Sequence, residues 1–89
     1  QRPEALNIGS IYPNPSTAKV QIPVSLAQSG TVELRVTDAL GRECWRESRE
    51  LPAGASMLIW NRGATAPGLY YVFVSADAGT ATLPVVLLP

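Results

Sequence analysis

Few side chains in this sequence are equipped for chemistry. The carboxylates Glu33, Asp38, Glu43, Glu47, Glu50 and Asp77 are the acid-base candidates, and a pair of them would serve only if two converged in an apolar pocket that split their pKa values. The strand pattern brings no two together in that way. The chain has no His and a single cysteine, Cys44. On its own it therefore cannot assemble the usual nucleophile-base pairs or His and Cys metal sets, and no catalytic residue, metal or cofactor is expected. A lone Cys cannot close an internal disulfide either, so Cys44 is expected to be a buried free thiol. Three aromatics carry the remaining candidate chemistry. If Cys44, Tyr70, Val72 and Val74 face inward, a period of two puts Trp45, Tyr71 and Phe73 outward as an exposed patch. Such rings stack on sugars or pack against a neighbouring loop, domain or partner.

The elements that would position these residues read as strands. Val20, Ile22, Val24 and Leu26 alternate with mostly polar residues, as do Val32, Leu34 and Val36. Between these runs Gln28-Ser29-Gly30 is a short polar turn, which predicts that the two strands pair through a hairpin. Asp38-Ala39-Leu40-Gly41 reads as a second hairpin turn: Asp38 can accept backbone N–H groups and Gly41 can take a left-handed conformation, with a strand restarting at Arg42. That strand, Glu43 to Glu50, carries a charged run suited to an exposed sheet edge. Leu51-Pro52-Ala53-Gly54 breaks the chain before a strand at 55–60 with Leu58 and Trp60 on one face. Gly68 opens the apolar strand 69–76, bounded by the turn Asp77-Ala78-Gly79. A last strand spans 80–88, where Pro84 favours an edge or a bulge. No segment holds a helical period. Six or seven short strands predict an all-β, immunoglobulin-like antiparallel β-sandwich.

Composition agrees with a small folded domain. Hydrophobic residues make up 46% of the 89 residues, and no apolar run approaches the length of a membrane span. Seven Lys and Arg balance seven Asp and Glu, leaving no basic field for nucleic acid or anionic lipid. The chain starts at Gln1 without a charged and apolar leader, so an excised piece of a longer precursor is expected.

Four stretches in order resemble the type IX secretion C-terminal sorting domains, immunoglobulin-like modules of exported bacterial proteins. They are Ile11-Tyr12-Pro13-Asn14-Pro15-Ser16-Thr17, with its Tyr-Pro-Asn-Pro motif; Val32 to Arg42 with its Asp38-Ala39-Leu40-Gly41-Arg42 end; Leu51-Pro52-Ala53-Gly54 running to Trp60; and Pro67-Gly68-Leu69-Tyr70-Tyr71-Val72, followed by Thr82 to Leu88 in the place of the terminal strand. The middle two are also similar to the sandwich repeats of flagellar hook-capping proteins. Each has a physical reading as well. The two prolines are expected to hold an extended strand against the sheet, and Tyr70 to be a core residue whose hydroxyl ties a corner, as in immunoglobulin-like sandwiches. The tail, Leu83 to Pro89, has no Lys or Arg, where family members commonly carry basic residues around the final strand; Phe73 stands at a position usually polar in the family.

The resemblance implies residues 1–9 as a linker from an upstream passenger and residues 10–89 as the sorting domain. It implies export through the periplasm of a Gram-negative bacterium by the type IX machinery, removal of the domain by a sortase-like protease near or just before Gln1 to Asn7, and a passenger anchored at the cell surface or secreted. The transport machinery or a dimer partner then joins the candidates for covering Trp45, Tyr71 and Phe73. Val85, Val86, Leu87 and Leu88 would offer an exposed final strand for β-augmentation. A structural spacer or a carbohydrate-binding module of a secreted enzyme is the alternative.

Overall fold

The computed structural model describes residues 6–77 and 79–89. Seven strands follow one another: β1 (Leu6–Ile8), β2 (Lys19–Leu26), β3 (Gly30–Asp38), β4 (Glu43–Leu51), β5 (Gly54–Asn61), β6 (Gly68–Ala76) and β7 (Gly79–Leu87). They form two antiparallel sheets, β1-β2-β5 and β4-β3-β6-β7, with no helix among the described residues. Alternation in the sequence sets which face is buried. Val20, Ile22 and Val24 of β2 face Val32, Leu34 and Val36 of β3 and Val72 and Val74 of β6 in one continuous core with Leu58, Trp60, Val85 and Leu87. Burying these branched side chains contributes roughly 1.5–3 kcal/mol each.

The hairpin expected between β2 and β3 does not form. β2 pairs with β1 and β5, and β3 with β4 and β6, so residues 27–29 carry the chain from one sheet to the other. A tight hairpin loop needs positive φ, and Gly30 does not supply it. The turn after β3 does: Gly41 has φ of 89° and its amide donates to the Asp38 carbonyl at 3.0 Å. The turn expected at Asp77-Ala78-Gly79 includes Ala78, which lies outside the described residues.

Cys44 is exposed rather than buried. The β3–β4 register shifts between Val36 and Thr37, so that Val36 pairs with Trp45 and Thr37 with Glu43. Cys44 is the extra residue of a β-bulge, and a bulge resets the inward and outward parity of the strand beyond it. Trp45 therefore turns toward the core and stacks on Trp60, with ring centroids 6.3 Å apart.

β1 belongs to the sandwich although it falls within residues 1–9, expected as linker. Leu6 and Ile8 pair with Leu26 and Val24 and pack on the core, so the folded body starts at least four residues before position 10.

Candidate functional site

Residues 11–16 leave the β1 line and cross from one sheet to the other. Tyr12 exchanges both backbone bonds with Gln21 of β2, at 3.1 and 2.7 Å. Ser16 forms a parallel bridge with Leu87 of β7. Between them the backbone bends at residues 13–15, so this stretch is not the extended strand expected from its prolines. Ile11 points into the core and Tyr12 to solvent.

The bends aim Asn14 at the outer edge of β7. Its Nδ2 donates to the Pro84 carbonyl at 3.2 Å and its Oδ1 accepts the Val86 amide at 3.1 Å. The carboxamide thus takes the place of a peptide group in a neighbouring strand. The main chain then takes over: Ser16 N–H donates to the Val86 carbonyl at 2.9 Å, and Leu88 N–H donates to the Ser16 carbonyl at 2.8 Å. Ser16 itself is 1% exposed. Its hydroxyl donates to the Lys19 carbonyl at 2.8 Å and accepts the Ala18 amide at 3.3 Å.

Arg62 closes the other side of the junction. Its guanidinium donates to the Thr65 carbonyl through Nε and Nη2, at 3.2 and 2.8 Å, and through Nη1 to the carbonyls of Thr17, at 3.3 Å, and Leu88. One planar fork therefore ties the loop after β5, the segment after Ser16 and the end of the tail together. The tail has no cation of its own; Arg62 brings one to it.

This arrangement corrects the docking role expected for residues 85–88. Val85 and Leu87 lie in the core, and the outward backbone groups of Val86 and Leu88 are already paired. What the tail shows to solvent is two side chains, Val86 at 38% and Leu88 at 40% exposure. Pro84 fits here because its missing N–H would have pointed to the outer edge, which the bonds of Val86 and Leu88 identify as the side of the even-numbered residues.

Elsewhere the expected residues build turns and corners. Asp38 Oδ1 accepts the amides of Leu40 and Arg42, both at 2.9 Å, and Oδ2 pairs with Arg42 Nε at 2.8 Å; the backbone bond from Arg42 in particular holds the carboxyl below its ordinary pKa. Gly54 has φ of 99°, at the start of β5. Gly68 has φ of 148° and sits against the Tyr70 ring. The Tyr70 hydroxyl donates to the Ala66 carbonyl at 2.6 Å. The three candidate aromatics do not share a face. Trp45 is turned inward, Tyr71 and Phe73 are half-buried on the outer face of the larger sheet, and the Arg35 guanidinium lies 4.6 Å from the Phe73 ring centroid.

The described candidate carboxylates that have partners find them at the surface. Asp38, Glu43, Glu33 and Glu47 each pair with an arginine at the surface, and Glu50 accepts the Thr31 hydroxyl at 2.6 Å. Among the described residues no group of three or more His, Cys, Asp or Glu could hold a metal ion.

The family described as secretion system C-terminal sorting domain matches residues 10–87, nearly the whole sandwich including the junction. The chain belongs to that family. Domains of this family are sorting signals for type IX secretion and not catalytic units, and the family implies interaction with the type IX machinery and attachment to an upstream passenger. Proteins carrying such a domain are exported across the outer membrane to the cell surface or released. No curated protein matches the chain. Among solved structures, β-glucosidase from Listeria innocua in complex with glucose superposes with a TM-score of 0.53 at 14% identity over 94% of this chain and 16% of the glucosidase. The same enzyme without that ligand gives 0.52 at 15% identity, covering 92% and 15%. The chain spans about a sixth of those enzymes, and at such identity the likeness concerns the fold alone.

Proposed function

We propose that the export apparatus reads the sorting domain as a folded unit through the junction where residues 12–16 cover β7, and not through a free tail strand. The single observation that carries this is the Asn14 and Ser16 ladder on Pro84 to Leu88. It satisfies the backbone of the tail and leaves shape and side chains as the readable features. Tyr12, Val86 and Leu88 are the exposed apolar groups around it.

After export, a sortase-like protease removes the domain and the passenger is attached at the cell surface. The cut falls upstream of Leu6, because a cut after β1 has paired would have to pull Leu6 and Ile8 off the core. Of the expected range Gln1 to Asn7, residues 1–5 lie outside the described residues. A carbohydrate-binding role loses ground on geometry: Trp45 stacks inward and Phe73 is capped by Arg35, leaving no row of open rings for a sugar chain.

The test is a secreted reporter fused ahead of the domain in a type IX-competent bacterium. Intact fusion should reach the surface, deletion of residues 6–89 should abolish delivery, and an Asn14→Asp fusion should lower it. Full delivery after deletion would reduce the domain to a structural spacer.

A further inference from the structure

The strand registers give the body two poles. At one, Leu6 pairs with Leu26 and Leu26 with Gly54 in the smaller sheet, and Gly30 with Leu51 and Ala76 with Gly79 in the larger one. The short connections 27–29 and 52–53 join the sheets there. The opposite pole holds the 39–42 turn, the 62–67 loop and the junction of Asn14 and Ser16 with the tail. Strands of nine residues span about 30 Å, so the 42 Å long axis of the body runs along them. The passenger is joined ahead of Leu6, at the first pole, a strand's length from the junction.

Exposed apolar groups are not shared evenly between the poles. At the junction end Leu69 and Val86 are cross-strand partners on the outer face of the larger sheet, and Tyr71 and Pro84 form the next row on that face. Further along, the rows turn polar: Phe73, under the Arg35 guanidinium, opposes Thr82, and Ser75 opposes Thr80. Tyr12, Leu40 and Leu88 are exposed at the junction end too, and Ile59 lies level with Tyr12 across Gln21. Met57, at mid-strand in β5, is the other exposed large apolar side chain. Among the described residues the passenger pole shows none: Leu26 is buried, and Leu6 and Leu51 pack on the core.

Leu40 is the most exposed of these groups, at 80%. The turn uses its amide, which donates to Asp38 Oδ1; a polar residue, the usual occupant of a turn, would supply the same bond. Its side chain is held in water at the end where Asp38 pairs with Tyr70, next to Leu69 in sequence. Apolar groups gathered in this way mark a contact. Residues 1–5 attach at the far pole and reach at most about 18 Å, so they cannot be the cover. A second copy is a poor one: two ends of 23 by 22 Å bury about 1,000 Å² together, below the roughly 1,200–2,000 Å² of stable pairs. A contact of that size suits a partner that must later let go.

We propose that the export apparatus grips the domain end-on, through an apolar protein surface that receives Leu40 and Leu69 together with Val86 and Leu88, and leaves the passenger pole uncovered. This rests on the sorting reading above. End-on docking keeps the apparatus a strand's length from the connection to the passenger. The bulk of the passenger then does not compete with the contact, and the segment ahead of Leu6 stays open to a protease while the domain is held.

The experiment measures surface delivery of the passenger fusion with a charge placed at either pole. Leu40→Glu and Leu69→Glu alter exposed side chains at the junction pole, and Ser29→Glu and Ala53→Glu do so at the passenger pole. Thermal unfolding shows whether each variant folds. The junction-pole variants should each lower delivery about tenfold or more, and the passenger-pole variants should stay within about twofold of the parent fusion. Full delivery by either folded junction-pole variant, or an equal loss from the passenger-pole variants, overturns end-on docking. If Asn14→Asp still lowers delivery in that case, the junction reading stands without it; full delivery after deletion of residues 6–89 overturns both. If Leu69→Glu does not fold, Leu40→Glu decides alone. A dimer in sedimentation that Leu40→Glu dissolves would assign the pole to a second copy and also overturn the proposal.

Discussion

Asn14 Oδ1 accepts the amide of Val86 at 3.1 Å although 72 residues of chain separate them. The same carboxamide donates to Pro84, so the position needs a donor and an acceptor on one short side chain, and Asn alone meets that need at this reach. Asn14→Ala should lower stability by about 1 kcal/mol, and Asn14→Asp by more, because a carboxylate keeps the bond from Val86 but sets negative charge against the Pro84 carbonyl. At about 4–8 °C per kcal/mol for a domain of this size, thermal unfolding resolves the order. Faster hydrogen exchange at Val86 in both variants would locate the loss; an unchanged Val86 amide would refute this account of the motif.

Arg62 should resist conservative replacement. Lysine keeps the charge but offers a single point donor where the guanidinium reaches the carbonyls of Thr65, Thr17 and Leu88 at once. Arg62→Lys is expected to cost about 1–2 kcal/mol and to loosen both the tail and the 62–65 loop. Backbone relaxation at Leu88 and Thr65 is the readout, and it should change at both residues together.

Tyr70→Phe deletes one hydroxyl and leaves the ring in the core. The lost bond to the Ala66 carbonyl leaves an acceptor at an exposed residue, where water replaces the hydroxyl, so the cost should stay near 1 kcal/mol. Tyr70→Ala also removes the edge contact with Trp60 and is expected to cost about 3–5 kcal/mol. Denaturant melts of the two variants should therefore differ severalfold in their loss.

Strand content and the buried faces were legible because alternation is local: Val20 to Leu26 and Val32 to Val36 needed no partner to be recognised. The Asp38 to Gly41 turn was legible for the same reason, its chemistry being complete within five residues. Pairing was not. Whether residues 27–29 fold back or cross between sheets depends on where β5 and β6 lie, tens of residues later. The inward turn of Trp45 was hidden by a bulge at Cys44, a single residue that no periodicity marks. Ser16 and Arg62 were missed because their partners, Val86 and Leu88, are distant in sequence; only the proline pair beside Ser16 hinted that the backbone there is fixed.

Acid should act first on the β3–β4 turn. Asp38 is held below the ordinary carboxylate range first by the backbone N–H of Arg42; desolvation opposes this as the next largest effect, and the Arg42 side chain and the Leu40 amide add to the lowering. A depressed folded-state pKa means the bonds stabilise the fold fully above the unfolded value, about 3.9, and the contribution fades as pH falls through the lower folded value. The turn should therefore be insensitive to pH from neutrality to about 5 and weaken below about 4. Asp38→Asn keeps an acceptor oxygen for Leu40 or Arg42 but loses the charge that pairs with Arg42, so this variant should start less stable at neutral pH and show a shallower decline in acid. Thermal unfolding of both proteins from pH 6 to pH 2 decides it: curves that run parallel across that interval would mean that Asp38 contributes through shape alone.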